Sequence, residues 1–435
     1  MDRFEKYSAP RGPNSYRIKM DIGVPACSLE TQRFPGVLQH NMTLTNYREV
    51  YARNLNESVV PFWLNHSIDR KHGGYFACLD RQGKIYDTRK YVWMQGRAVW
   101  TFSRLYNQWD KEPEYLEAAR VIFDFLMKHC FDDKGRCWFS LTQEGLPVYF
   151  QRKPYSAVFV GLALIEYGKA TRQQQYLDQT VDLFGGITSW IADGSLLGRP
   201  PTPGALGYYQ LADLMVIALI ALELYKADPR PAYKSILEEC IQAVKPHYDP
   251  KHRLLMENTA PGNHHFREYP EGRLVCPGSS LEVSWILLHA LEVAPDAEAE
   301  KMLLEAIDGA LEFGWDKEYG GLYYFMDIED APRPEIEANM KLWWPHTEAI
   351  YASVLAYSRT GDEKYKQWLD RVHHYTFDTF VDQQYGEWFG YCDRQGNVTM
   401  DAKGAPYKCF FHVPRCLLFS IQEIDRMERR GSTKP

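Results

Sequence analysis

Apolar residues recur along this chain at three- and four-residue intervals in a dozen stretches, the spacing that lines one face of a helix. The pattern predicts helices over roughly 43–66, 91–108, 113–129, 156–171, 174–192, 208–227, 231–246, 279–294, 297–313, 341–360, 363–380 and 411–429. They come in pairs. Between many pairs lies a polar turn followed by a short Gly- and aromatic-rich stretch: Asp69-Arg-Lys-His-Gly73-Gly74-Tyr75-Phe76, Asp316-Lys-Glu-Tyr-Gly320-Gly321-Leu322-Tyr323, and Asp382-Gln-Gln-Tyr-Gly386-Glu387-Trp388-Phe389. Weaker copies begin at Asp132 and Asp249. A period of roughly 60 to 67 residues marks a repeated helical hairpin with a β-like excursion.

Six such hairpins cannot bury their apolar faces singly and must close on one another. The expected fold is therefore all-α, an (α/α)6 barrel of six inner and six outer helices with short β-like excursions in its loops. An open superhelical array is disfavoured, because neither end shows a polar-faced capping repeat. The barrel is expected to fill residues 42–430 as one domain. Residues 1–41 carry Pro10, Pro13, Pro25 and Pro35 without sustained periodicity and are expected to form a loosely ordered extension. Met42 stands at that boundary, where a second translation start is open. The extension lacks a basic segment followed by an apolar one, so a secretory signal is not expected.

Composition narrows the function classes. A net charge of −7, with 25% charged residues and no basic cluster, argues against nucleic-acid binding. The longest apolar run, Leu214–Leu222, is about half of a membrane span. Nine cysteines without framework spacing point to a reducing, cytoplasmic setting. No metal site is expected: there is no His-Glu-x-x-His, and adjacent His373 and His374 point their rings in different directions on a helix. No G-x-G-x-x-G follows a strand, so a nicotinamide cofactor has no support.

The unusual polar and aromatic residues gather at the starts of even-numbered helices: Tyr91-Val-Trp93-Met-Gln95-Gly-Arg97, Gly278-Ser279-Ser280-Leu281-Glu282, Lys341-Leu-Trp343-Trp344-Pro-His346-Thr-Glu348, and Phe411-His412-Val-Pro-Arg415. In a barrel those N-termini converge on one mouth. Such a mixture suits a neutral or anionic polyol. Glu282 and Glu348 accept from hydroxyls, Arg97 and Arg415 donate to oxygens, Trp93, Trp344 and Trp388 offer stacking faces, and His346 is a further substrate contact. Each has a plainer reading: an Arg–Glu pair as a structural ion pair, a tryptophan as packing, a histidine satisfied in the core.

These blocks, with Tyr385-Gly-Glu-Trp-Phe-Gly-Tyr391 and Phe411-His-Val-Pro-Arg-Cys416, resemble the N-acylglucosamine 2-epimerase (renin-binding protein) family from about residue 43 to about residue 425. The resemblance implies reversible interconversion of N-acetyl-D-glucosamine and N-acetyl-D-mannosamine. It also implies a nucleotide such as ATP as a non-consumed activator, a homodimer, and association with renin. By resemblance, His412 is one of two proton-transfer bases; on chemical grounds Glu348 is a candidate to orient or polarise it and Arg97 to stabilise the enediolate oxyanion.

The second family base is a histidine in Asn-Pro-Gly-His-x-Leu-Glu; here the segment reads Cys276-Pro-Gly-Ser279-Ser-Leu-Glu282. A lone serine hydroxyl is far less basic than imidazole, so epimerisation is expected to be weakened. His264 and His265, in a polar loop, are candidate substitutes. Two other outcomes stay open: a one-base aldose–ketose isomerase, or a non-catalytic sugar- or renin-binding protein. A glycoside hydrolase using Glu282 and Glu348 is a further class, but it leaves the His-Val-Pro-Arg block without a role.

Overall fold

The computed structural model describes residues 42–150, 153–200, 202–204, 207–262 and 266–432. The N-terminal extension and the His264–His265 pair lie outside the described residues. Twelve long helices are present among the described residues. The first, α1, runs through Leu44–Asn54, a π turn at Leu55–Val59, and Val60–His66. Then follow α2 (Val92–Gln108), α3 (Pro113–His129), α4 (Tyr155–Thr171), α5 (Gln174–Ala192) and α6 (Leu211–Ala227). The second half holds α7 (Pro231–Val244), α8 (Pro277–Ala290), α9 (Ala297–Gly314), α10 (Trp343–Thr360), α11 (Glu363–Phe380) and α12 (His412–Ser432).

Even-numbered helices form an inner ring in sequence order, and each packs on an odd-numbered outer partner. The ring closes where α12 meets α2: Thr101 Oγ1 donates to Phe410 O at 2.8 Å, and Trp100 packs edge-on against Phe411 at 5.2 Å. This is an (α/α)6 barrel. Sequence explains which ring each helix joins. Helix α4 is apolar all round and buries every residue from Ser156 to Gly168. Helix α3 buries one stripe, with Tyr115, Ala118, Ala119, Ile122, Phe123 and Leu126 at helical spacing.

The repeated Asp-x-x-x-Gly motif has a common job. Asp69 Oδ1 accepts from the backbone N–H groups of Lys71 and His72, and Asp316 Oδ1 from those of Glu318 and Tyr319. Their second oxygens meet buried lysines on the strand leading to the next inner helix: Lys90 at 2.8 Å and Lys341 at 3.1 Å. Asp382 repeats the arrangement with Lys403 at 2.9 Å. Gly73, Gly74, Gly320 and Gly321 all have φ between +72° and +84°, which a side chain would strain. Each loop then makes one antiparallel bridge back to the end of its helix: Ile68 with Tyr75, Phe131 with Cys137, Trp315 with Leu322, Val381 with Trp388. The bridges and ion pairs fix the height at which α2, α4, α10 and α12 begin, and so much of the shape of the mouth.

Two-residue strands complete that rim. Lys90–Tyr91 pairs with Ser140–Leu141, Tyr209–Gln210 with Asn258–Thr259, Leu274–Val275 with Met326–Asp327, and Lys341–Leu342 with Tyr391–Cys392, all antiparallel.

Candidate functional site

A cavity of about 540 Å³ opens at the mouth, lined by the first turns of the inner helices. Residues that face it lie four apart, as one side of a helix requires: Trp93 and Arg97 on α2, Phe411 and Arg415 at the start of α12; on α10 Trp344 faces it. Glu348 lies just beneath the lining, reached through His412. On α8, Gly278 holds the place that tryptophans hold elsewhere. A Cβ there would come within 2.7 Å of the Trp344 ring, so only glycine admits that indole.

The floor is a buried charged network. His412 Nδ1 donates to Glu348 Oε1 at 2.8 Å. Arg415 donates to that same oxygen at 2.8 Å and to Glu282 Oε1 at 2.7 Å. Trp285 Nε1 donates to Glu348 Oε2 at 2.8 Å. The carboxylate assigns the proton to Nδ1 and leaves Nε2, which has no hydrogen-bond partner among the described residues, as the basic nitrogen. Burial, and then the neighbouring Arg415 charge, hold the His412 pKa well below its usual value, so the ring is neutral at neutral pH.

Arg97 is the cation of the site without a carboxylate partner among the described residues; the Cys409 thiol contacts it. Arg97 forms no ion pair among the described residues, and its buried Nε has no hydrogen-bond partner. Instead the guanidinium packs against the rings of Phe159 at 4.1 Å, Trp93 at 4.6 Å and Phe411 at 4.8 Å. Burial lowers its pKa. Glu282, Glu348 and His412 place ligand atoms within 4.8 Å of one another, a geometry that can hold a cation. Arg415 already supplies positive charge to both carboxylates.

Sequence reasoning placed His412, Arg97, Ser279, Glu282, Trp93, Trp344 and Arg415 at one mouth, and the structure brings all of them to the cavity, with Glu348 behind His412. It does not bring His346 or Trp388 there. His346 is fully buried; its Nε2 accepts from Leu322 N–H at 2.9 Å and its Nδ1 donates to Leu342 O at 2.6 Å. Burial pushes its pKa down to about 3. It pins the excursion loop as Gln95 does four repeats earlier, where Gln95 accepts from Tyr75 N–H at 2.8 Å. Trp388 stands at the bridge position equivalent to Tyr75 and Leu322, donating to Asn54 Oδ1 at 2.8 Å. Both are parts of the repeat rather than of the site. Sequence reasoning missed the cavity-wall residues Tyr324, Tyr391 and Tyr407, and Glu257 behind Ser279; these come from loops whose sequence carries no helical register.

Solved structures share this scaffold. A cellobiose 2-epimerase from Bacillus thermoamylovorans superposes with a TM-score of 0.76 at 21% identity, covering 87% of this chain and 99% of that one. A D-mannose isomerase does so at 0.74 and 16%, covering 90% and 100%. At such identities the likeness is one of fold, and the class it defines is the (α/α)6 barrel. Sequence carries the assignment further. The N-acylglucosamine 2-epimerase of Bos taurus is 38% identical over 399 residues, 89% of this chain and 93% of that protein. The human enzyme of that name is 37% identical over 389 residues, 86% and 89%. The chain belongs to the N-acylglucosamine 2-epimerase (GlcNAc 2-epimerase) family, whose model matches residues 74–416.

Proposed function

We propose that this protein is a carbohydrate 2-epimerase that interconverts N-acetyl-D-glucosamine and N-acetyl-D-mannosamine. The observation that carries the reading is a neutral, carboxylate-oriented imidazole facing a cavity beside an arginine without a carboxylate partner among the described residues. The open-chain sugar exposes a proton at C2, α to the aldehyde. His412 Nε2 takes that proton, and the imidazolium is stabilised by Glu348. Negative charge then develops on the aldehyde oxygen, where Arg97 donates to it in a site walled by aromatic rings that exclude water. Return of a proton to the opposite face of C2 completes inversion. Trp93 and Trp344 pack the sugar, and Glu282 accepts from its hydroxyls.

The relatives' names support epimerisation over the one-base aldose–ketose isomerase and over a non-catalytic binding protein. Activation by a nucleotide such as ATP, a homodimer and association with renin rest on the family resemblance alone, and a cytoplasmic setting on cysteine usage. No helix among the described residues is long and apolar enough to cross a membrane. Incubating the protein with each N-acetylhexosamine, with and without ATP, tests the reading. Formation of the other epimer is expected; a ketose product, or binding without turnover, would overturn it.

A further inference from the structure

We propose that Ser279 and Glu257 form the second proton-transfer pair of this site, with the serine hydroxyl meeting C2 and the glutamate carboxyl supplying or taking the proton behind it. The inference rests on the epimerase reading and answers what that reading leaves open, the group on the face opposite His412.

Ser279 and His412 flank one indole. Trp344 lies against Gly278, next to Ser279, and its ring is 5.8 Å from that of His412. Both side chains line the same cavity. A serine hydroxyl alone is a poor base, but this one has a carboxyl behind it. Glu257 is held by its backbone between two inner helices: its N–H donates to Leu274 O at 3.1 Å, and its C=O accepts from Leu211 N–H at 2.8 Å at the start of α6. From there its carboxyl lies beside the Ser279 hydroxyl and the Cys276 N–H, both of which favour its ionised form. Its Oε1 is enclosed and has no hydrogen-bond partner among the described residues. A buried carboxyl with a vacant acceptor, set behind the one hydroxyl that faces the substrate from α8, is built to hold or release a proton.

Among the described residues, the titratable groups facing Glu257 are Glu335, the Cys276 thiol, and the Tyr155 and Tyr324 phenols, none of them a cation. Burial outweighs the lowering by Ser279 and Cys276 and, with a smaller contribution from Glu335, pushes the Glu257 pKa up to about 7, where a carboxyl both gives and takes protons at neutral pH. In one direction His412 removes the C2 proton. The Ser279 O–H bond then breaks as a C2–H bond forms on the opposite face, and the Glu257 proton moves to Ser279 Oγ. In the other direction Ser279 Oγ takes the C2 proton while its own passes to the Glu257 carboxylate. Exchange with solvent resets both ends, and no oxidant or co-reactant is consumed.

Deuterium incorporation at C2, followed by NMR in D₂O from each epimer separately, tests the pair in wild type, E257Q, S279A and H412N. E257Q and S279A are expected to lose epimerisation by about 100-fold or more, the usual weight of a positioned acid–base group, while still exchanging the C2 proton of the epimer that faces His412. H412N is expected to exchange only the other epimer. In an S279H background, E257Q is expected to change kcat/KM by less than about threefold, because imidazole needs no relay. Epimerisation by E257Q at the wild-type rate would overturn the inference, as would equal loss of exchange from both epimers in a variant that melts like wild type. A wild type that neither exchanges nor epimerises either sugar would instead sink the epimerase reading itself.

Discussion

Replacing Glu348 by glutamine probes the site at its most connected atom. Glu348 Oε1 receives His412 Nδ1–H and Arg415 at 2.8 Å each, and Oε2 receives Trp285 Nε1 at 2.8 Å. Glutamine keeps the volume but offers one acceptor where the carboxylate offers two; with its carbonyl on Trp285, its NH₂ group turns toward both His412 and Arg415. That amide donates, so the imidazole must accept at Nδ1 and carry its proton on Nε2, the nitrogen that has to be bare. The loss combines the wrong tautomer with the loss of a charge that stabilises imidazolium. A comparable change in a serine-protease triad costs about 10⁴ in kcat, and acid–base catalysis is worth about 10² to 10⁴, so E348Q is expected to lose ~3–5 kcal/mol of transition-state stabilisation. KM should move little, because Trp93, Trp344 and Arg97 do not touch the substituted group.

Arg415 retains Glu282 at 2.7 Å, so folding should weaken by only about 1–3 kcal/mol, read as a lowered but cooperative melt. The assay is the initial rate of epimer formation in both directions. It is paired with the same measurement in H412N, where E348Q should cost little more, since it acts through the imidazole. A folded E348Q within about threefold of wild type would refute the claim that Glu348 sets the tautomer of His412.

Other outcomes follow from the same geometry. R97Q should lower kcat by about 10²–10³ with a smaller effect on KM, because Arg97 meets charge that develops only after the proton leaves. S279H should raise epimerase turnover over wild type; unimproved activity would show that this position does not limit the reaction. Because the folded pKa of His412 lies well below 6.5, its neutral form persists as pH falls through 6.5, so a fall in kcat near pH 7 is expected only in the direction that needs the Glu257 carboxylate, and the direction that starts at His412 should hold to lower pH. His346 and His373 are buried neutral with pKa values of about 3, so the stability they contribute is complete above about 6.5 and is lost as pH falls toward the folded values, at ~1.4 kcal/mol per unit for each. H346Q, which borrows the role of Gln95, should flatten that slope in melts run against pH. W388F should leave kcat/KM within about twofold and cost ~1–3 kcal/mol of stability through the lost bond to Asn54.

The helices were legible because their apolar spacing is a local property. Each of the twelve appears within a few residues of its expected span; α8 starts at Pro277, two residues before its expected start, because proline fits a first turn. Local motifs that look alike were harder to sort. Trp344 and Trp388 both sit in aromatic-rich blocks, yet one faces the cavity and the other closes a loop bridge. His346 and His412 both follow a helix start, and only their depth in the barrel separates a loop pin from a base.

By itself the sequence determined the repeat, the closed barrel, the family and the convergence of seven site residues on one mouth, because helical period and residue type are written in neighbouring positions. The tertiary structure decided which nitrogen of His412 is basic, which cation lacks a carboxylate partner among the described residues, and which carboxyl stands behind Ser279. Those properties depend on groups brought together from helices and loops far apart in the chain. Glu257 lies 22 residues before Ser279 and 155 before His412, in a stretch without periodicity. Only the closure of the ring, which buries its carboxyl behind the cavity wall, gives it chemistry.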